Sequence, residues 1–416
     1  MKMFAKLFDM PSKLKCFWRV SNLVLVALFW FSVPSISDRS GVYHIISLLI
    51  IALFLASSLT YSFLNHDLRV KPAWILMIIF GFVMLLSTLI NDPSRLNTTP
   101  FSMILLFVAA YFLSLSKDAT VKNFCLALFA GGFLFSIYFG VVYWNEIIHL
   151  EVDRLGDYFT NVNRVGDSFS LSFSAGLLLL FIEKRPKKWI VILISFGCLV
   201  FAFFSFLTGS KAVLLAEVGS LYIALWMIFS AKNRIFLVVL PILLILCVPL
   251  LANIPVLKSS LSRFTDMFAF FLGDFSSDPS TSARITMLAE GFYLFGQRPF
   301  FGYGVNGFAV LSGFGTYSHN TISELLCNFG FFGFVAYQTP LFLAFLHAKK
   351  GRNQHWLFFL IFIIPILLLQ LSFPVFINKQ YALLFGAVCG FCDHNNEKES
   401  AVPNSSRSTL FETIDI

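Results

Sequence analysis

The chain repeats one pattern from end to end: apolar runs of about twenty residues separated by short polar segments. Runs of this kind fall near 17–36, 43–64, 72–90, 100–116, 122–144, 168–182, 189–207, 212–231, 235–253, 321–346, 356–372 and 374–392. A helix of about 20 apolar residues matches the roughly 30 Å hydrocarbon core of a bilayer. Inside lipid the backbone must satisfy its own hydrogen bonds, which a helix does within one segment. The expectation is an all-α polytopic membrane protein of about twelve transmembrane helices.

Composition excludes a soluble enzyme carrying an anchor. Of 416 residues, 58% are hydrophobic and 12% charged, against about 25% charged in soluble domains. The seven cysteines sit mostly in apolar runs and read as small core residues, not a disulfide framework. Cys389-Gly-Phe-Cys392 has a metal-like spacing, but it ends an apolar run and has no second pair, so no metal centre is expected. The basic N-terminus before an apolar run resembles a secretory signal, with Ser35-Ile-Ser37 as a possible cleavage site. The many spans that follow favour a retained first helix.

Lysine and arginine set the sidedness. With the N-terminus in the cytoplasm and strict alternation, the basic N-tail, Arg69 and Lys71, Lys117 and Lys122, the "EKRPKK" segment, Lys232 and Arg234, "KKGR", and Lys398 and Arg407 all lie inside. That majority explains the formal charge of +8 through anionic lipid, with no call for nucleic acid. Both termini are then cytoplasmic. Residues 1–392 form one membrane domain with outer loops at about 145–167 and 254–320, and 393–416 read as a disordered polar tail. In the larger loop Ile285, Leu288, Phe292 and Phe295 recur at helical spacing, so a short amphipathic helix is expected near 281–296, starting at Asp278-Pro279.

Outer arginines are informative because topology does not demand them. Arg154, Arg164, Arg263, Arg284 and Arg298 could grip phosphate oxygens in a fork or pair with loop aspartates. Arg284 stands out because its helix should lie on the bilayer surface. Lys211, after "TGS" at a helix junction, either snorkels or joins this basic site. Glu217 is an intramembrane carboxylate and a candidate by default, with Lys211 as one possible partner. Thr321-Ile-Ser-Glu324 has capping-box spacing, which starts a helix at 321 and leaves His319 just outside its positive end, where anions are favoured. Neutral imidazole there could take a proton from a hydroxyl. Asn320 and Glu324 could be caps or site residues. No P-loop, GxSxG or dinucleotide fingerprint is present.

At these residues the chain resembles the O-antigen polymerase and O-antigen ligase superfamily. "FGYGVNGF" followed by "SHNTISELLCNFGFFGFVAY" resembles its glycine turn, the His-Asn at a helix start, and the Gly-x-x-Gly inside that helix, here Gly330 to Gly333. "SARITMLAEGFYLFGQRPFFGYG", "RLGDYFTNVNRVG" and "LTGSKAVLLAEV" resemble its other segments, with Lys211 where arginine is commoner. The resemblance implies a metal-independent glycosyltransferase of the GT-C-like membrane kind, without cofactor, in the bacterial inner membrane with its active site periplasmic. Donor and acceptor would be undecaprenyl-diphosphate-linked oligosaccharides, with a chain-length regulator and a flippase as possible partners. His319 would be the base and Arg284 the catalytic cation. Arg164, Arg154, Lys211, Arg298 and Asn320 would contact the diphosphate. "SHNTISELLCNFGFFG" reads more like polymerases than ligases. A polysaccharide-unit transporter is the reading from another class, but polar residues gather on one face rather than at the midplane.

Overall fold

The computed structural model describes residues 12–36, 42–64, 71–96, 99–116, 119–149, 162–182, 186–228, 278–350 and 354–400, with Leu155 and isolated positions between 239 and 274. Among the described residues all regular structure is helical. In chain order the α-helices are α1 (Ser12–Ile36), α2 (Val42–Leu64), α3 (Pro72–Asn91), α4 (Thr99–Leu115), α5 (Val121–Val142), α6 (Trp144–His149) and α7 (Val162–Ile182). There follow α8 (Lys188–Leu207), α9 (Lys211–Ile228), α10 (Pro279–Gln297), α11 (Gly307–Leu311), α12 (Thr321–Lys350), α13 (Gln354–Gln370) and α14 (Lys379–Ser400). Single 3-10 turns at Pro93–Arg95 and Val375–Ile377 follow α3 and precede α14.

Among the described residues six stretches are long and apolar enough to cross a membrane: Cys16–Pro34, Pro72–Asn91, Val121–Val142, Val162–Ile182, Lys188–Leu207 and Thr321–Lys349. Leu48–Ser62, Phe101–Leu115 and Trp356–Gln370 are shorter apolar helices. This is the pattern of a polytopic membrane protein. The expected run at 235–253 lies outside the described residues, as do Arg154 and Arg263.

Helix α7 is the centre of the bundle, with 89% of its apolar window buried. The sequence reading began this helix at 168; it begins at Val162, because the polar turn Val162-Asn-Arg-Val-Gly-Asp is helical as well. Its serines make the burial tolerable. Ser168, Ser172 and Ser174 donate to carbonyls one turn back, at 2.9, 2.7 and 3.0 Å. Their hydroxyls also bond outward: Trp30 Nε1 of α1 donates to Ser172 at 2.9 Å, Ser174 meets Ser220 of α9 at 2.9 Å, and the Ser168 hydroxyl lies 2.9 Å from the Gln380 side-chain amide of α14. Where no hydrophobic effect pulls helices together, bonds of this kind and close packing hold them.

Close packing is greatest between α4 and α14. Gly386-Ala-Val-Cys-Gly390 places two glycines one turn apart against α4, and a Cβ there would lie 2.2 Å from Phe107 O and 2.4 Å from Tyr111 O. Helix α14 also runs on past residue 392, where a disordered tail was expected, as far as Ser400. Asp393 explains the extension: it is buried, Tyr111 donates to its Oδ2 at 2.5 Å, and His347 Nδ1 lies 2.5 Å from its Oδ1. This triad, with Tyr111 and Asp393 buried and His347 half-buried, marks one end of the bundle. The N-termini of α7, α9, α12 and α14 gather at the other.

Candidate functional site

Helix α12 is broken. Gly330 has φ 65° and ψ −167°, a conformation outside the helical region and open only to glycine at this φ. An unbroken helix would bond Phe331 N to Cys327 O and Phe332 N to Asn328 O. Here the segment 299–304 takes over all four groups. Phe331 N donates to Pro299 O at 2.7 Å and Phe332 N to Phe300 O at 3.3 Å, while Tyr303 N donates to Cys327 O at 3.0 Å and Gly304 N to Asn328 O at 2.7 Å. Interrupted helices survive at membrane depth when the freed groups are satisfied again, and this one is satisfied bond for bond. The turn itself needs Gly302 (φ 62°) and Gly304 (φ 82°); a Cβ on Gly302 would lie 2.4 Å from Cys327 O. Helix α3 fastens the turn from the far side through Ser87 to Phe301 O at 2.5 Å, Asn91 to Gly302 O at 3.1 Å, and Val305 N to Thr88 at 3.0 Å.

The loop leaving this turn delivers His319 to the start of α12. The helix cap differs from the capping box expected from the sequence. Asn320, not Thr321, is the N-cap, and its Oδ1 accepts from Ile322 N at 2.9 Å and Ser323 N at 3.1 Å. Thr321 instead crosses to the α13–α14 connection, donating to Phe373 O at 2.6 Å and accepting from Val375 N at 2.9 Å. Asn320 Nδ2 reaches Leu371 O at 3.4 Å. Glu324 reaches back past the cap to Ser318 N at 2.6 Å. Two amides of the helix end are therefore spent on Asn320, which narrows the anion role foreseen for that end.

His319 has φ 54°, left-handed for a non-glycine residue. Its ring lies 4.5 Å from that of Tyr317, and Tyr317 lies edge-on to Phe373 at 5.5 Å. Its Nδ1 is buried and makes no hydrogen bond. Burial first, and then the positive charge of Arg284, push the imidazole down to about 4; the Ser372 backbone acts weakly the other way. At neutral pH His319 is thus an uncharged imidazole.

Arg284 comes from α10, which begins where expected. Asp278 is its N-cap, accepting from Thr281 N at 3.3 Å. Burial disfavours the charge on Arg284, and the Tyr317 and Asp278 oxygens oppose that effect. Asp278 also forms an ion pair with Lys211 of α9. Burial works against its ionisation, but hydrogen bonds from Lys211 and Thr281 overcome that and hold the carboxyl below the usual carboxylate value. Lys211, read as a diphosphate contact, therefore already has an anion to balance.

Arg164, near the start of α7, sets its guanidinium 5.6 Å from the Phe373 ring centre and feels the buried Asp167. The centre thus runs from Lys211 and Asp278 through Arg284, Tyr317 and His319 to Phe373 and Arg164. Arg298 stands elsewhere: it hydrogen-bonds Asn91 and lies 4.9 Å from the Tyr303 ring centre, bracing the glycine turn. Glu217 is buried and accepts from Ser205 at 2.5 Å, while Lys211, its suggested partner, is taken by Asp278. Among the described residues no group of three His, Cys, Asp or Glu side chains could hold a metal ion.

The sequence reading missed Tyr317, Phe373 and Asn328. The intramembrane asparagine was a signal in its own right, whereas the two aromatics were hidden among fifty-three phenylalanines and twelve tyrosines.

No curated protein matches the chain. A family model described as O-antigen ligase matches residues 196–338, a stretch that holds Lys211, Asp278, Arg284, the glycine turn, His319 and the break at Gly330. Over that stretch the chain is similar to the O-antigen polymerase and ligase superfamily.

Proposed function

We propose that the chain is a surface-polysaccharide polymerase that joins undecaprenyl-diphosphate-linked repeat units at the periplasmic face of the bacterial inner membrane. An enzyme of the O-antigen polymerase or ligase class is what the family match supports; the polymerase assignment is the finer step. The acceptor hydroxyl gives its proton to His319 as its oxygen bonds to the anomeric carbon of the donor. The bond from that carbon to the diphosphate breaks, and undecaprenyl diphosphate leaves with the electron pair. Arg284 and Arg164 stabilise the charge that develops on it. Asn320 shapes the helix end beneath. The architecture that goes with this reading has twelve spans of the GT-C-like kind, both termini cytoplasmic, and periplasmic segments at about 145–167 and 254–320.

One observation carries the reading: an uncharged imidazole whose buried Nδ1 has no hydrogen-bond partner lies within the field of a guanidinium, on the loop that leaves the glycine turn. The similarity to a family described as O-antigen ligase favours the ligase as second reading, in which lipid A–core replaces the lipid-linked acceptor at the same centre. Deleting the gene and resolving lipopolysaccharide on a gel separates the two. Core bearing a single repeat supports the polymerase. Bare core with stranded lipid-linked polymer supports the ligase, and single lipid-linked units held on the cytoplasmic side would mean a transporter. Chain extension by purified protein from one lipid-linked repeat unit tests the chemistry directly.

A further inference from the structure

Two buried side chains of α12 join the His319 loop to the glycine turn. Glu324 Oε2 accepts from Ser318 N, beside His319, at 2.6 Å, and Glu324 Oε1 accepts from Asn328 Nδ2 at 2.9 Å. Asn328 Oδ1 in turn accepts from Phe308 N, at the head of α11, at 2.8 Å. Both side chains are almost fully buried, with 4% and 2% exposure.

The ends of this relay fix its polarity. Backbone amides can only donate, so Phe308 N requires the carbonyl oxygen of Asn328, which turns the Asn328 NH₂ toward Glu324. Ser318 N requires an acceptor too. Glu324 must therefore accept on both oxygens, which a carboxylate does and an amide cannot. Capping does not explain it, because Asn320 already caps the helix.

We infer that Glu324 and Asn328 are the positioning residues of the centre: their relay locks the left-handed His319 loop to the glycine turn, so that the imidazole is presented to the acceptor hydroxyl. The inference rests on the reading of His319 as the base. It makes a specific chemical demand. Glu324→Gln puts an NH₂ group against the Asn328 NH₂ group. Adding Asn328→Asp restores a donor facing an acceptor at every step, with one carboxylate kept in the pair but moved to the other residue.

The test is chain extension by purified full-length protein in nanodiscs with a defined lipid-linked repeat unit. Glu324→Gln is expected to lower kcat by about tenfold or more with donor KM changed by less than about threefold, the signature of lost transition-state positioning. The double variant is expected to recover to within about threefold of wild type, a coupling that independent sites do not show. Hydrogen exchange should rise in both 302–308 and 316–320 in Glu324→Gln and return in the double variant. Wild-type kinetics in Glu324→Gln, or a double variant no better than the single, overturns the inference. Should Glu324→Gln fail to accumulate, the double variant decides alone: folded and active supports the relay, absent or inactive sinks it. His319→Ala in the same assay separates the two levels. If it extends chains normally the base assignment falls, whereas an inactive His319→Ala beside a normal Glu324→Gln removes only the relay.

Discussion

Arg284 holds its charge close enough to His319 to add to burial, the larger cause, in depressing the imidazole to about 4. Between about pH 6.5 and 4 the unfolded chain takes up a proton at His319 that the folded chain refuses. Stability from this residue is complete above 6.5 and is lost as pH falls toward 4. Chain-extension rate should follow the same group, with its acid limb nearer pH 4 than 6.5. Arg284→Gln should move the His319 titration up toward the ordinary value, as read by ¹⁵N-histidine NMR of the purified protein. An unshifted titration would separate the pair.

An anion seated on Arg284 cancels the charge that His319 feels. Inorganic diphosphate should accordingly raise the His319 titration above its value of about 4, and Arg284→Gln should remove most of that response. This makes the base stronger when the donor is bound. A titration indifferent to diphosphate would mean that the anion binds elsewhere.

Lys211 and Asp278 are a half-buried pair, with side-chain exposures of 22% and 5%. Lys211→Met should cost about 1 kcal/mol of stability and spare much of the activity, because the lysine serves the carboxylate. Asp278→Ala should cost about 1 kcal/mol more, since it also removes the N-cap of α10. Thermal melting of the single and double variants checks this. Loss of all activity in Lys211→Met at unchanged melting temperature would return the lysine to the diphosphate site.

Gly330→Ala should be among the most damaging small changes in the chain. The residue sits at φ 65°, and a Cβ would lie 2.3 Å from Phe300 C and O. A loss of about 3 kcal/mol or more follows from strain and collision together, seen as lost accumulation or a collapsed melting temperature. Gly296, inside α10, has nothing within 4 Å of its Cβ position. Gly296→Ala should stabilise by up to about 1 kcal/mol, which serves as the control.

The helices were legible because lipid leaves the backbone so few choices. A run such as Trp189 to Leu207 has one workable conformation, and Asp278-Pro279 announced α10 through local capping chemistry. What escaped the reading is nonlocal. Asp278 meets Lys211 across sixty-seven positions, and neither residue carries a sign of the other. Thr321-Ile-Ser-Glu324 suggested a cap by spacing alone, yet Asn320 took that place because the Thr321 hydroxyl was wanted by Phe373 and Val375. Arg298 looked like Arg284 in sequence, and only the position of Asn91 on another helix separates a brace from a site residue. Gly330-Phe-Phe-Gly333 was noticed as a motif, but its consequence, an open helix filled by Pro299 to Gly304, requires knowing what lies beside it.

That filled gap also bears on how the protein is made. The ribosome releases Pro299 to Gly304 before Cys327 to Phe332, so the patch exists before the tear it must cover. A chain synthesised in the opposite order would have to hold two bare amides and two bare carbonyls in oil while it waited. Biogenesis of this enzyme is thus eased by the order in which its parts emerge.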